Sequence, residues 1–225
     1  MKSLTAILIG ATGASGSEVL NQLLGDISYS KVIVFSRRPI VPVHSKLEVH
    51  VVDFEEISNW AHLIKGDVLF SALGTTLKAA GSKLNQFKID YTFQYEVAKM
   101  ASQAGVETYV LVSSYGANEK SGMFYPRMKG QLDKAVQDFN FKQIHIFRPG
   151  ILGRQAEKLR PLEKISITII NTLNKFGLFR SQRPMPVELL AQKMILVTTI
   201  LSSNKTNIYT LDKIFEILEE NILKQ

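Results

Sequence analysis

Three side-chain types stand close enough in the chain to do proton chemistry together. Tyr125 is followed four residues later by Lys129, and Ser113 and Ser114 lie just upstream, Ser114 eleven residues before the tyrosine. On a helix, positions four apart share a face. Pro126 suits a first helical turn and no later one, so it places Tyr125 at a helix mouth. Free tyrosine titrates near about 10 and lysine near about 10.4. An ammonium one turn away favours phenolate and is expected to lower the Tyr125 pKa, making it a usable proton donor and acceptor. A serine hydroxyl beside it, Ser114 or Ser113, would hold the substrate oxygen.

A second set of residues could hold an anion. "GATGASG" carries Gly10, Gly13 and Gly16 three apart, directly after an apolar run. A tight turn, a close backbone approach to a pyrophosphate and a close helix–strand contact each call for one of them. A helix opening at Ala14 and Ser15 offers free N–H groups and a positive dipole end to phosphate, with hydroxyls of Thr12 and Ser15 beside it. About twenty residues on, an NAD site usually carries an acid for the ribose hydroxyls. "VFSRRP" has Ser36, Arg37 and Arg38 instead. Guanidinium groups hold a 2′-phosphate that a carboxylate would repel, so the cofactor expected is NADP(H). Lys129 would then also bind the nicotinamide ribose. Asp53 can accept from an adenine amino group, or cap a helix, and Phe54 can lie against the ring. Ala72, Leu73 and Gly74, in "SALGTT", let a cofactor pass over a strand end, though core packing explains the first two nearly as well.

These groups need a scaffold that brings strand ends together. Apolar strand-length runs at 4–10, 31–36, 46–53, 67–74, 108–114 and 142–150 alternate with helical patterns at 15–25, 58–66, 85–105 and 128–139. Near-continuous apolar strands separated by helices predict a parallel sheet covered on both faces. The fold class expected is α/β, a Rossmann-like doubly wound sheet, with every candidate group at a strand's carboxyl end. After residue 150 the pattern changes to helical runs at 162–176 and 186–202, a short strand "NIYTL" and a final helix. The whole of 1–225 reads as a single domain, with 151–225 a small C-terminal helical cap on the substrate side.

Composition narrows the classes. There are no cysteines, which excludes disulfides, thiolate metal sites and a cysteine nucleophile. The four histidines have no ligand spacing, so no metal is expected. Net charge is +7, but the lysines are scattered among acids, so no nucleic-acid partner is expected. "MKSLTAILIGATG" lacks the long apolar region of a signal peptide. "ISITIINTLNKFG" is too short and polar to span a bilayer. A cytoplasmic location follows as the expectation.

"GATGASG", "SRR", "SSYGA", "YPRMK" and "FRPG", in this order, resemble the short-chain dehydrogenase/reductase superfamily. "VVDFE", "LGTT" and "RPMPV" add a resemblance to its atypical branch that includes the Tat-interacting-protein oxidoreductases. That resemblance covers nearly the whole chain. It implies a Rossmann fold, bound NADP(H) and a Ser-Tyr-Lys centre, here Ser114 (or Ser113), Tyr125 and Lys129. It also implies that Pro149, Gly150 and Ile151 flank the nicotinamide, while Arg148 anchors the strand end. Many members carry an Asn in the long fourth helix that joins a proton relay; this chain departs from that pattern, with Asp90 near the place. The short C-terminal portion argues against a nucleotide-sugar substrate. The reading is an NADP(H)-dependent oxidoreductase acting on a small-molecule carbonyl or alcohol, with a homodimer as the assembly to test. The alternative is an NADP(H)-binding redox sensor with little turnover.

Overall fold

The structure is a computed structural model that describes residues 3–41, 43–153, 184–200 and 202–217. Its main sheet has seven parallel strands: β1 (Leu4–Ile9), β2 (Tyr29–Ser36), β3 (Leu47–Val51), β4 (Val68–Ser71), β5 (Thr108–Val112), β6 (Gln143–Arg148) and β9 (Thr206–Thr210). Their spatial order is β3-β2-β1-β4-β5-β6-β9. Winding therefore reverses between β1 and β4, which is where doubly wound sheets bind ligands. The strand expected at "NIYTL" becomes the seventh member of this sheet, paired with β6. A two-stranded parallel ribbon joins β7 (Leu152–Gly153) to β8 (Met185–Pro186).

Alternation along the strands builds two cores. In β1, Ala6 and Leu8 face one way and Ile7 and Ile9 the other, all fully buried. The first pair packs against Val19, Leu20 and Leu23 of α1 (Ala14–Gly25) and against α7 (Val187–Leu196) and α8 (Asp212–Glu216), through Leu190, Met194 and Ile214. The second pair packs against Trp60 of α2 (Ile57–Trp60), Val97 and Ala101 of α5 (Phe93–Gln103), and Leu132 of α6 (Phe124–Ala135). Burial on both faces explains the unbroken apolar runs of the sequence.

The helix expected at 85–105 is not continuous. It follows a short α3 (Leu77–Ala80), starts as α4 (Lys83–Phe87), passes through a π turn at Lys88–Thr92 and resumes as α5. Ser82 caps α4 by accepting the Asn85 N–H at 3.1 Å. The run at 58–66 is likewise one turn of α-helix followed by a 3₁₀ turn, Ala61–Leu63. The expected helix at 162–176 lies outside the described residues. Among the described residues no helix is long and apolar enough to cross a membrane.

Candidate active site

The cleft at the β1/β4 reversal encloses about 460 Å³ and is walled by the ends of three strands. Gly10 to Gly13 follow β1, Ser36 to Pro39 follow β2, and Ala72 to Thr75 follow β4. Gly10 has φ +86°, and a Cβ there would sit 2.5 Å from the Ala72 and Leu73 backbone. Only glycine fits that combination. Gly16 is buried in the first turn of α1, where a Cβ would strike the Gly10 carbonyl oxygen. The turn is closed by the Gly13 N–H donating to Gly10 O at 2.9 Å. Gly13 is the cap of α1, with no side-chain capping bond and no acid in the first turn, so this helix end presents bare N–H groups. Thr12 is exposed beside it; Ala14 is half-buried and the Ser15 side chain is largely covered.

Arg37 and Arg38 are exposed along the cleft wall, and no carboxylate is among its lining residues. Ser36 is buried, and its hydroxyl is hydrogen-bonded to the Arg38 backbone, which fixes the turn that carries both guanidinium groups. Phe54 lines the cleft and packs edge-on against Trp60. Asp53 does not line it. Its carboxylate accepts the Glu55 N–H at 2.8 Å and its carbonyl accepts the Trp60 indole N–H at 2.7 Å, so it closes the turn before α2, whose cap is Glu56. Thr75, Ile89 and Phe93 complete the wall and were not foreseen. Ile89, in the π turn, and Phe93, at the start of α5, face the cleft together.

The second centre lies at the end of β5. Ser114 donates to the Tyr115 carbonyl at 3.3 Å and lies near enough to the Tyr125 phenol to favour its phenolate, whereas Ser113 is buried and leans toward Asp133, its Oγ short of a formed hydrogen bond. Ser114 is therefore the serine beside the tyrosine. Lys129 is 2 % exposed and its Nζ donates to Val112 O at 3.2 Å. Pro149 O accepts the Tyr115 N–H at 2.9 Å, which sets Pro149, Gly150 and the half-exposed Ile151 next to this strand end.

Asp90, on the π turn, is 1 % exposed. One carboxylate oxygen accepts the Thr75 N–H at 2.9 Å, and its carbonyl accepts from Gln94 Nε2 at 2.7 Å. Gln94 in turn accepts from Ser71 at 2.8 Å, tying the π turn to the end of β4. Burial pushes the Asp90 carboxyl up to about 6, with Lys129 and the Thr75 N–H pulling the other way. The Tyr125 pKa is raised, by burial first and by the Asp90 carboxylate second; Ser114 only partly offsets this. That corrects the expectation of a phenol lowered by its lysine. The Lys129 ammonium is itself desolvated, which lowers its own pKa, and its hydrogen bond goes to a carbonyl. Arg148 anchors the end of β6 as expected, its Nε 2.8 Å from Asp133 Oδ2.

A sequence profile described as NAD(P)H-binding matches residues 10–162, from the glycine turn through β6 and beyond. The chain belongs to the NAD(P)H-binding family. Within it, the chain is 36% identical over 165 residues to protein fmp52, mitochondrial, of Aspergillus niger, covering 70% of each chain. It is 37% identical over 177 residues to protein FMP52-1, mitochondrial, of Scheffersomyces stipitis, covering 76% of this chain and 77% of that one. Among solved structures, MoeE5 in complex with UDP-glucose and NAD superposes with a TM-score of 0.68 at 16% identity, covering 96% of this chain and 82% of that one. A UDP-N-acetylglucosamine 4-epimerase from Methanobrevibacter ruminantium gives 0.68 at 16% identity, covering 100% and 84%. At that identity the structures speak for the fold alone, a Rossmann-like one. Family and relatives together make the chain an NAD(P)H-binding protein of the group that holds the fmp52 proteins, consistent with the atypical short-chain dehydrogenase/reductase resemblance. The relatives' names overturn the cytoplasmic expectation, since both are mitochondrial proteins. Compartment is decided by import signals, on which neither cysteine content nor fold bears.

Proposed function

We propose that this family member is an NADP(H)-dependent oxidoreductase that interconverts a small carbonyl and its alcohol, in the mitochondrion, where its relatives' names place them. The observation that carries this reading is a division of labour along one strand-end surface. A glycine cradle with two arginines and no lining carboxylate stands at one end, and a hydroxyl, a phenol and a buried ammonium stand at the other. The cradle fits a dinucleotide, because a Cβ at Gly10 or Gly16 would fill it or break its wall. Arg37 and Arg38 would clasp the 2′-phosphate, and the bare N–H groups of α1 would take the pyrophosphate. Phe54, Ala72, Leu73 and Gly74 would flank its path, and Pro149 to Ile151 would border the nicotinamide. The bound cofactor supplies hydride. Ser114 would orient the substrate oxygen, Tyr125 would exchange the proton with it, and Lys129 would hold the nicotinamide ribose and favour the phenolate.

The test is consumption of NADPH with a panel of aldehydes, ketones and quinones. Tyr125→Phe is expected to lower kcat by about 10²- to 10⁴-fold, the usual contribution of a positioned acid–base group. Cofactor affinity should stay within a factor of about two, because the phenol holds proton, not phosphate. Unchanged turnover in Tyr125→Phe would remove the tyrosine from the mechanism. One observation favours the sensor reading: a phenol whose pKa is raised is a slow proton exchanger at neutral pH. Tight NADPH binding without turnover of any carbonyl would select that reading.

A further inference from the structure

Lys129 is a buried cation, and burying an ammonium without compensation costs several kcal/mol on the usual scale. Its hydrogen bond to the neutral Val112 carbonyl does not supply that compensation. Two carboxylates do. Asp90, on the π turn, acts on it through charge at longer range, and Asp133 stands four residues after it on α6, on the same face and one turn along. Asp133 is 1 % exposed and pairs with Arg148 through one oxygen only. Its other oxygen, Oδ1, is buried without a hydrogen-bond partner, as is the Ser113 hydroxyl that leans toward it. The four charges alternate, Asp90, Lys129, Asp133, Arg148, and sum to zero.

We propose that Asp133 is a positioning residue that keeps the Lys129 ammonium charged and directed at the end of β5, acting through the lysine without touching substrate. This rests on the reading of Lys129 as part of the reaction centre. The groups facing the quartet are Tyr125, on the Asp90 side, and Tyr109 of β5, on the Asp133 side. Both are phenols with raised pKa values, so neither contributes charge near neutral pH. Asp133 is therefore the titrating partner of Lys129 on the β6 side.

The experiment follows the Lys129 Nζ chemical shift against pH in the full-length chain, assigned by its loss in Lys129→Met. Asp133→Asn is expected to move that titration to lower pH by about 1 unit, the effect of one nearby opposite charge. The alkaline limb of kcat/KM should move in the same direction, and Asp133→Glu should restore both. Should Asp133→Asn alone fail to fold, the double variant Asp133→Asn with Arg148→Gln removes the pair without stranding a charge. It should show the same downward shift. A lowered Tm with the Lys129 titration unmoved, in either variant, would make Asp133 a structural tie and overturn the inference. A shifted titration in a chain that turns over no carbonyl would leave the inference standing and defeat the oxidoreductase reading instead.

Discussion

The two ends of this strand-end surface are built from different materials. The cofactor cleft is mostly backbone: a left-handed glycine, a helix opening on bare N–H groups, and arginines in solvent. The reaction end is mostly buried charge: Asp90, Lys129 and Asp133, each no more than 2 % exposed, with a phenol beside them. Backbone geometry is bought with residue type and breaks sharply when that type changes. Buried charge is held by partners from distant segments and responds to pH.

The sharpest way to break the cofactor end is Gly10→Ala. It meets a positive φ and backbone atoms at 2.5 Å together, and an expected loss of about 2–4 kcal/mol should appear in urea unfolding. Dinucleotide binding should fall with it. At the reaction end the largest response should come from Asp90→Asn, and its sign is opposite. Because the folded-state pKa of Asp90 is raised to about 6, its contribution is present below the ordinary carboxylate value and lost as pH rises through about 6. The asparagine, which mimics the neutral form, should therefore stabilise the fold by up to about 3 kcal/mol at pH 8 and by little at pH 4. A flat difference between the two pH values in thermal unfolding would show that the carboxylate is not desolvated in solution.

Cofactor choice comes next in size. Arg37→Ala with Arg38→Ala should weaken NADP binding about 30-fold or more, from the loss of charge-assisted hydrogen bonds, and NAD binding only slightly. Equal weakening of the two would defeat the 2′-phosphate reading. The smallest effect concerns His145 of β6, buried between Tyr209 and Gln143, with its pKa lowered to about 4. Its stability is present above the ordinary histidine value and lost as pH falls through about 4. Between pH 6 and 5 it should cost about 1 kcal/mol, nearly offset in the unsubstituted chain by the gain from Asp90. In Asp90→Asn that loss should stand uncovered, and in Asp90→Asn with His145→Gln it should vanish.

The same contrast explains what could be read in the chain. Strand positions and the glycine turn were legible because each leaves a local mark: apolar runs of strand length, and glycines three apart after the first of them. Ser36 to Arg38 were legible as an acid missing where one is expected. The π turn was not, because one surplus residue in a helix leaves the apolar pattern nearly intact. Asp133 was not, because its meaning depends on Arg148, fifteen residues away on another element. Asp53 was ambiguous for a local reason, since the carboxylate that could meet a base is also the best cap for its own turn. The direction of the Tyr125 shift failed because spacing reports a neighbour four residues on but not the burial or the Asp90 charge.

The five residues from Lys88 to Thr92 set a rotational phase as well as a length. An added residue turns everything downstream by about 100° relative to everything upstream. Shortening this stretch by one would leave a respectable uninterrupted helix, and composition, charge and hydrophobic content would scarcely change. Yet the face of α4 bearing the buried Gln86 could no longer be aligned with the face of α5 bearing Phe93 and Gln94. Two surfaces now served by one helix would have to compete for it, and a deletion of a single codon would act as a twist in the protein's interior.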